Sequence, residues 1–472
     1  MSYALYIGKN HTLDGVPYLA GYGDEPSSHW LEIVPRRKHV ADATVTVGVT
    51  AESDFPGALS HIPQAGETAR HIRVSYSYFR GVPAPLTNGG LNEYGVAVRD
   101  VWSASRAELN AMTPKTQSGP NYSDLARLVL ERAKSAREGV ELIGELIARY
   151  GHSTYGGNSH LIADAEEGWV VIQFSGGQGL WAAERLGPDS IRASRPGYIG
   201  DIPFKAKHPD FLYSPNLISF AAEQGWFDPE KSDTFNANTI YGDGLHRWAG
   251  VTWIEDEMKA RAKRPAKIGF EDIVWAMRTP LLTGDTAGYG QIVPLAQPRH
   301  DDLRVLWHTQ IGSLAAPFVP VYMGVADVPD EYRMHRYLTA GESSRFVDMR
   351  KPDQVSLVLQ QIEATRSAAQ VFKRLLYVML QQETYLPEVT AVWEGVERRL
   401  MVLHESVSEA AGTLIASGKR ELSADYLTYF TQTELINALN LAETLADALE
   451  ARTRALNSFK PLPVPKQVEQ IW

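Results

Sequence analysis

The order of local patterns along the chain is the feature that most restricts its fold. Short segments rich in β-branched and aromatic residues occur before and after one pair of helical segments. The predicted strands lie at residues 5–8, 44–50, 73–78, 96–98, 159–163, 169–174 and 179–184. Between them, Ser123 is expected to cap a first helix, and a second apolar stripe ends at Gly151. Strands, two helices and strands again are typical of a layered sheet protein with helices packed outside.

The last quarter of the chain has a different character. Periodic Leu, Val and Ala positions from Gln354 to Leu456 predict several long helices. The segment Pro461–Pro465 predicts an extended tail. We therefore expect an N-terminal domain over residues 1–330 and a helical C-terminal extension over residues 331–472 that packs on it. This periodicity does not distinguish helices that contact a second copy from helices that pack within one chain. A homo-oligomer is therefore one of two alternatives.

Composition excludes several classes of function. The net charge of −10 argues against a protein that binds nucleic acid or an anionic membrane surface, since either partner requires a basic patch. No run of about 18 apolar residues is present to cross a bilayer, and the start lacks the pattern of a signal peptide. Cysteine is absent from all 472 residues, which excludes disulfides and thiolate metal sites. These features lead us to expect a cytoplasmic protein with no membrane partner.

The start of the chain resembles that of a known enzyme family. Ser2 precedes the apolar run Tyr3–Ile7, which ends in Gly8-Lys9 and is followed by the turn Asp14-Gly15. This pattern is similar to the mature N-terminus of the dipeptidase/secernin family, where a cysteine precedes such a strand. Aligned without a gap, Ser2 takes the place of the nucleophilic cysteine.

Further segments extend the resemblance over roughly residues 2 to 325. They lie at residues 92–97, 130–133, 161–169, 181–183, 306–307 and 320–322. The family implies an α+β fold, a four-layer αββα sandwich of the N-terminal-nucleophile (Ntn) hydrolase type. In such a fold the side chain of the first residue attacks an amide carbonyl, and its own α-amine is the general base. A free amine with a pKa of about 7.7 to 8.0 suits that role. Met1 must then be removed, which the small Ser2 permits.

The resemblance also implies site residues. Asp24 falls where the family places the aspartate that orients the amine, although a turn cap before Pro26 is the alternative reading. Asn92 is expected to support the site from its turn. Arg195 and Arg247 are expected to line the pocket and to pair with a substrate carboxylate. Asp100 is a further candidate for substrate contact, and the alternative is a solvent-exposed pair of Arg99 with Asp100.

Two positions depart from the family pattern. Gly21 stands where the family has an arginine, which removes a cation that would favour a thiolate. Arg195 or Ser194 stands where an asparagine is expected in the oxyanion hole, and the backbone amide that completes the hole would lie near Asp100-Val101. The loss of one such donor costs about 100- to 1000-fold in rate.

These residues support two hypotheses of different class. The first is a serine-type amidohydrolase that forms an acyl-enzyme on Ser2 and cleaves, or transfers the acyl group of, a small amide or peptide-like substrate. The second is an inactive relative that acts as a binding or scaffold protein through its C-terminal helices. No metal or organic cofactor is expected. The spacing of His152, His160 and His246 favours structural histidines over metal ligands, and Gly284–Gly290 is interpreted as a flexible loop.

Overall fold

The computed structural model describes most of the chain. The described residues are 2–23, 29–76, 79, 81–83, 85–244, 247–284, 287–333, 366–457 and 469–471. Asp24 and His246, and the predicted tail Pro461–Pro465, lie outside them, as does the first part of the predicted helical stretch, residues 354–365.

Strands occupy the first two thirds of the described chain. In chain order they are β1 (Tyr3–Ile7), β2 (Tyr18–Tyr22), β3 (His29–Val34), β4 (Arg37–Lys38), β5 (Thr44–Val47), β6 (Ser60–Pro63), β7 (Glu67–Thr68), β8 (His71–Tyr76), β9 (Leu86–Asn92), β10 (Ala97–Trp102), β11 (Asn158–Ala163), β12 (Gly168–Gln173), β13 (Trp181–Leu186), β14 (Ile191–Ser194), β15 (Phe211–Tyr213), β16 (Tyr289–Pro294), β17 (Val305–Gln310) and β18 (Val319–Tyr322). Each strand predicted from the sequence corresponds to one of these, with ends shifted by a few residues.

Helices are interspersed with the strands and then follow them. They are α1 (Ala107–Met112), α2 (Tyr122–Arg132), α3 (Ala136–Tyr150), α4 (Leu217–Glu223), α5 (Ala237–Tyr241), α6 (Ala249–Ala262), α7 (Phe270–Arg278), α8 (Gly312–Ala315), α9 (Ala368–Met379), α10 (Tyr385–Ala416) and α11 (Arg420–Asn457). The last three confirm the prediction of long C-terminal helices. No helix of the described chain is both long and apolar enough to cross a membrane.

Two large antiparallel sheets form the centre of the molecule. One has six strands in the order β14-β1-β2-β16-β17-β18, and the other has eight in the order β15-β13-β12-β11-β10-β9-β8-β3. Leu5 of the first sheet and Leu161 and Val170 of the second belong to one buried cluster. All five residues of β1 are buried, as expected for a central strand covered on both faces.

Helices cover both outer faces of this sheet pair. Leu128 of α2 and Ile143 of α3 pack against Val98 and Ile162 of the eight-stranded sheet. On the other side, α7 and α8 pack on the six-stranded sheet, and α10 and α11 contact its edge strand β18. The order of layers is therefore αββα with a helical C-terminal extension, which confirms the fold class predicted from the sequence. The boundary between residues 330 and 331 remains a prediction.

The helix pair α2–α3 begins differently from the sequence prediction. Asn121, and not Ser123, caps α2: its side chain accepts from the Asp124 amide, and the Asp124 carboxylate accepts from the Asn121 amide. This reciprocal pair is a capping box. The hydroxyl of Ser123 instead accepts a hydrogen bond from the amide of Thr87. The predicted stop at Gly151 is confirmed, since this glycine has φ 85° at the end of α3.

Candidate active site

Ser2 lies at the start of the central strand β1. The next residue, Tyr3, pairs with Tyr22 of β2, while Ala4 pairs with Ser194 of β14. Ser2 itself is only 5% exposed. Because β1 is held by a neighbour on each side, the position of the Ser2 hydroxyl is set by the sheet rather than by a loop.

Arg195 is hydrogen-bonded to Ser2. This residue directly follows β14, and its Nη1 donates to the Oγ of Ser2 at 2.8 Å and to the carbonyl oxygen of Ser2 at 3.1 Å. Its guanidinium carbon lies 5.0 Å from the ring centre of Trp248 and 5.8 Å from that of Trp102. The sequence prediction placed Arg195 in the pocket, but these indoles were missed. A charged donor at this distance favours negative charge on the hydroxyl oxygen.

Two tyrosines, one on β1 and one on β2, reach from the sheet to the helix layer. The rings of Tyr3 and Tyr22 meet edge to face with centroids 4.9 Å apart. The hydroxyl of Tyr3 donates to the carbonyl oxygen of Ala276 at 2.6 Å, and that of Tyr22 donates to the carbonyl oxygen of Leu282. Burial raises the pKa of Tyr3 well above its ordinary value, so its hydroxyl stays protonated. The tyrosines therefore fasten β1 and β2 to α7 and the turn after it.

Arg99 and Asp100 do not form the exposed pair considered from the sequence. The side chain of Arg99 is fully buried, Asp100 is 4% exposed, and Nη1 of Arg99 donates to the carboxylate of Asp100. The aliphatic part of Arg99 also crosses the space beside Gly21, where a Cβ would lie 2.9 Å from the Cγ of Arg99. Gly21 stands where the family has an arginine. The volume beside this glycine is occupied instead by the side chain of Arg99, which comes from the facing sheet.

Arg247 supports the site from behind β14. Its Nη2 donates to the carbonyl oxygen of Ala193 at 3.0 Å, and both terminal nitrogens donate to the carboxylate of Glu255. Glu255 also accepts from the Ala193 amide at 2.9 Å. Burial raises the pKa of Glu255, but the hydrogen bond and the charge of Arg247 outweigh this and lower the pKa below its ordinary value. Arg247 is thus part of an internal ion pair, and its pairing with a substrate carboxylate stays a prediction.

Asn92 lies in the turn between β9 and β10 and bonds to backbone groups. Its amide group donates to the carbonyl oxygens of Leu130 and Ala133, and its Oδ1 accepts from the amides of Tyr94 and Val96. The structure does not bring this side chain to Ser2. Asn92 fixes the turn that joins β9 to β10, and its support of the catalytic site stays a prediction.

The sequence of the chain also matches a family of known proteins. The sequence pattern of peptidase family C69 matches residues 5–247, slightly more than half of the chain.

The chain belongs to peptidase family C69.

Curated relatives of this C69 chain are named as dipeptidases. It is 34% identical over 129 residues to a probable dipeptidase B of Lactococcus lactis, covering 27% of this chain and 26% of that protein. It is 23% identical over 301 residues to a probable dipeptidase of Latilactobacillus sakei, covering 58% and 59%. It is 31% identical over 210 residues to a probable dipeptidase A of Streptococcus pyogenes, covering 40% and 44%. The matched regions thus span about a quarter to three fifths of these relatives.

Among solved structures, the C69 chain is similar to a mutant of the conjugated bile acid hydrolase from Clostridium perfringens. The TM-score is 0.30 at 11% identity, with 78% of this chain and 98% of that chain covered.

The C69 chain holds buried histidines away from Ser2. His160 bonds to the carbonyl oxygen of Tyr122 at 3.0 Å and to the side chain of Gln173 at 3.2 Å, as expected of a structural histidine. Burial lowers the pKa of His152 to about 3 and that of His160 to about 4. Within the described ranges no group of three or more His, Asp or Glu side chains is arranged to hold a metal ion.

Two clefts lie at the junction of the C69 sandwich with α10. Their volumes are about 570 and 580 Å³, and Phe270 and Met401 line both. Neither is lined by Ser2 or Arg195, so they are separate from the candidate site. The predicted glycine-rich loop is also revised: Tyr289 and Gly290 begin strand β16, and residues 285–286 lie outside the described chain.

Proposed function

We propose that this chain is a serine-type Ntn amidohydrolase that cleaves a small peptide-like substrate through an acyl-enzyme on Ser2. The single observation that carries this proposal is the 2.8 Å hydrogen bond from Arg195 Nη1 to Ser2 Oγ at the start of β1. Membership of a peptidase family supports amide or peptide bonds as the target. The proposal requires that Met1 is removed, so that Ser2 has a free α-amine.

In the proposed acylation step, Ser2 supplies both nucleophile and base. The neutral α-amine takes the hydroxyl proton, Oγ bonds to the carbonyl carbon, and the carbonyl electron pair moves to its oxygen. The tetrahedral species then collapses, the C–N bond breaks, and the leaving amine takes the proton from the ammonium group. Water resolves the ester by the same steps in reverse order. A nucleophile and base on one residue need little further alignment.

Arg195 supplies the activation that a hydroxyl requires. A serine hydroxyl is un-ionised at neutral pH, so charge develops on Oγ and on the substrate oxygen only during reaction. A guanidinium in a site with little water stabilises that charge strongly, because its position is set before the reaction begins. Trp102 and Trp248 hold the cation through their ring faces. In this proposal Arg195 therefore supplies the hydrogen-bond donor of the oxyanion hole, which the family pattern expects from an asparagine.

The remaining predicted residues have supporting roles in the proposal. Asp24 orients the amine, and Asp100 acts through its ion pair with Arg99. Arg247 keeps β14, and hence Arg195, in place. Transfer of the acyl group to a second amine would use the same acyl-enzyme, so the choice between hydrolysis and transfer depends on the second substrate. Cytoplasmic location and self-association remain predictions.

Intact-protein mass spectrometry tests the proposal directly. Protein is incubated with p-nitrophenyl acetate and digested to locate any acetyl group. We expect a mass without Met1 and an acetyl group on Ser2 that is absent from Ser2→Ala. Ser153→Ala is the matched control, because Ser153 is fully buried and its hydroxyl has no hydrogen-bond partner among the described residues. Retention of Met1 together with an unlabelled Ser2 would favour the inactive binding protein instead.

A further inference from the structure

Arg99 carries a positive charge into the space between the two large sheets. It stands on β10 of the eight-stranded sheet, and its Nη2 donates across the sandwich to the carbonyl oxygen of Tyr22 at 2.9 Å. Nη1 donates to the carbonyl oxygen of Asn88 at 2.7 Å as well as to Asp100. The guanidinium carbon lies 5.2 Å from the ring centre of Tyr289. A buried charge is unfavourable unless it is paired and hydrogen-bonded, and Arg99 meets both conditions.

One glycine provides room for this side chain. A Cβ at Gly21 would lie 2.8 Å from the carbonyl oxygen of Tyr3 and 2.9 Å from the Cγ of Arg99. A side chain at position 21 and the present path of Arg99 therefore exclude each other.

The contacts of Arg99 connect it to β1, the strand that follows Ser2. Tyr22, whose carbonyl oxygen binds Arg99, is the register partner of Tyr3, and Tyr3 is bonded to Ser2. Arg195 binds Ser2 itself on the β14 side. The start of β1 is thus held between two guanidinium groups, one bonded to Ser2 and one bonded to the strand beside it. The mechanism proposed above uses only the first of them.

We propose that Arg99 is a positioning residue for the Ser2 nucleophile, which fixes β2 against β1 and places a second positive charge near the Ser2 α-amine. This inference rests on the proposed function. A nearby cation disfavours protonation of an amine, so Arg99 keeps more of the amine in the neutral form that acts as base. The other ionisable groups facing this volume in the described chain are Asp100, Tyr22, Tyr289 and His29, with Arg195 beyond β1.

The test compares two changes at this contact with one control. Arg99→Met removes the charge, and Arg99→Lys keeps it. Arg73→Met is the control, because Arg73 lies on β8 of the same sheet and pairs with Glu32 at 2.7 Å. Thermal unfolding first shows that each variant is folded.

Two readouts are then measured. The pKa of the Ser2 α-amine is titrated by NMR on protein with ¹⁵N-labelled serine and Ser2 as first residue, released where necessary from a cleavable leader. The rate of Ser2 acetylation by p-nitrophenyl acetate is followed against pH. In Arg99→Met we expect the amine pKa to rise by about 1 and the acetylation rate to fall about 100-fold. Arg99→Lys should keep the amine pKa, because the positive charge remains.

The outcomes separate this inference from the proposed function. A folded Arg99→Met with an unchanged amine pKa and an unchanged rate overturns the inference, whether or not Ser2 reacts in the parent protein. An equal effect in Arg73→Met also overturns it, because a general loss of packing would then suffice. If Ser2 of the parent protein is not acetylated, the proposed function fails, and the amine titration still decides whether Arg99 acts on Ser2.

Discussion

At the scale of single residues, one guanidinium determines what the serine can do. A thiol at position 2 would ionise near neutral pH, whereas a hydroxyl does not, so a serine nucleophile depends more on groups that stabilise charge as it forms. Arg195 lies 2.8 Å from the hydroxyl oxygen, and its guanidinium carbon lies 5.0 Å from the ring centre of Trp248 and 5.8 Å from that of Trp102. The exchange of cysteine for serine and the presence of an arginine at this contact are therefore chemically consistent.

Arg195→Met tests this contact while keeping an unbranched chain beside the indoles of Trp102 and Trp248. We expect the acetylation rate of Ser2 to fall about 100- to 1000-fold, the usual cost of losing one preorganised donor. Folding should change little. The comparison is Arg192→Met, since Arg192 lies on β14, which directly precedes Arg195, but bonds to Glu184 and to the carbonyl oxygen of Tyr198. Equal rates in these two variants would contradict the assignment.

The sequence alone identified some residues of this site and missed others for a physical reason. Ser2 and Arg195 belong to contiguous motifs, so they could be predicted from the chain. The hydrogen bond from Arg99 to Tyr22 joins residues 77 positions apart in facing sheets, and no local pattern reports such a contact. Arg247 was placed in the correct region, but its partner Glu255 was invisible because helix α6 had not been predicted there.

At the scale of elements, β14 depends on α6 for its position. Glu255 on α6 binds the amide of Ala193, and Arg247 binds the carbonyl oxygen of the same residue. This ion pair therefore holds the strand that ends one residue before Arg195. Local sequence features predicted seven of the eighteen strands of the described chain to within a few residues, but the N-cap of α2 at Asn121 was misread as Ser123, since both residue types suit that position.

Glu255→Gln tests whether the ion pair positions Arg195. We expect the free energy of unfolding to decrease by about 2 kcal/mol, less than for a fully enclosed pair, because Arg247 is partly exposed. Ser2 acetylation should also slow, because the ion pair of Glu255 with Arg247 no longer holds β14 at Ala193. Glu184→Gln breaks the ion pair of Arg192 near the same strand, and it should destabilise the protein without slowing acetylation. Urea unfolding and acetylation kinetics provide both measurements.

At the scale of the whole molecule, the C-terminal helix α10 is bonded to α7, the helix that packs on the six-stranded sheet beside Ser2. Glu397 on α10 binds both terminal nitrogens of Arg278 at the end of α7, and it also accepts from the amide of Phe318 at 2.8 Å. Helix α7 in turn offers the carbonyl oxygen of Ala276 to Tyr3. The hydrophobic periodicity of this region predicted that it is helical. The ion pair of Arg278 with Glu397 joins residues 119 positions apart, so it could not be predicted from the sequence.

Glu397→Gln is expected to weaken this connection. Removal of one partner of a buried ion pair costs about 3 kcal/mol or more, and both side chains here are only 5% exposed. We expect that loss in urea unfolding together with slower acetylation of Ser2. The control is Glu388→Gln on the same helix, where the pair with Arg452 is about half exposed and should contribute little to stability.

Buried and half-buried histidines should make the stability of the whole molecule depend on pH. Burial lowers the pKa of five of them to about 3 or 4, namely His71, His152, His160, His308 and His404. Their pKa in the unfolded chain is about 6.5, so the unfolded state binds more protons below that pH. Stability is therefore complete above about pH 6.5 and is lost as the pH falls towards 4, by about 1.4 kcal/mol per pH unit for each histidine.

Urea unfolding between pH 7.5 and 5 measures this slope, and one histidine can be removed from it. His404 accepts or donates a hydrogen bond with the Tyr322 hydroxyl at 2.7 Å, a contact that the amide of His404→Gln can retain. This variant should reduce the slope by about 1.4 kcal/mol per pH unit, the contribution of one proton. His208→Gln is the control, because His208 is exposed. An unchanged slope in His404→Gln would show that the acid sensitivity arises from other groups, since only a histidine kept neutral by folding takes up its proton on unfolding.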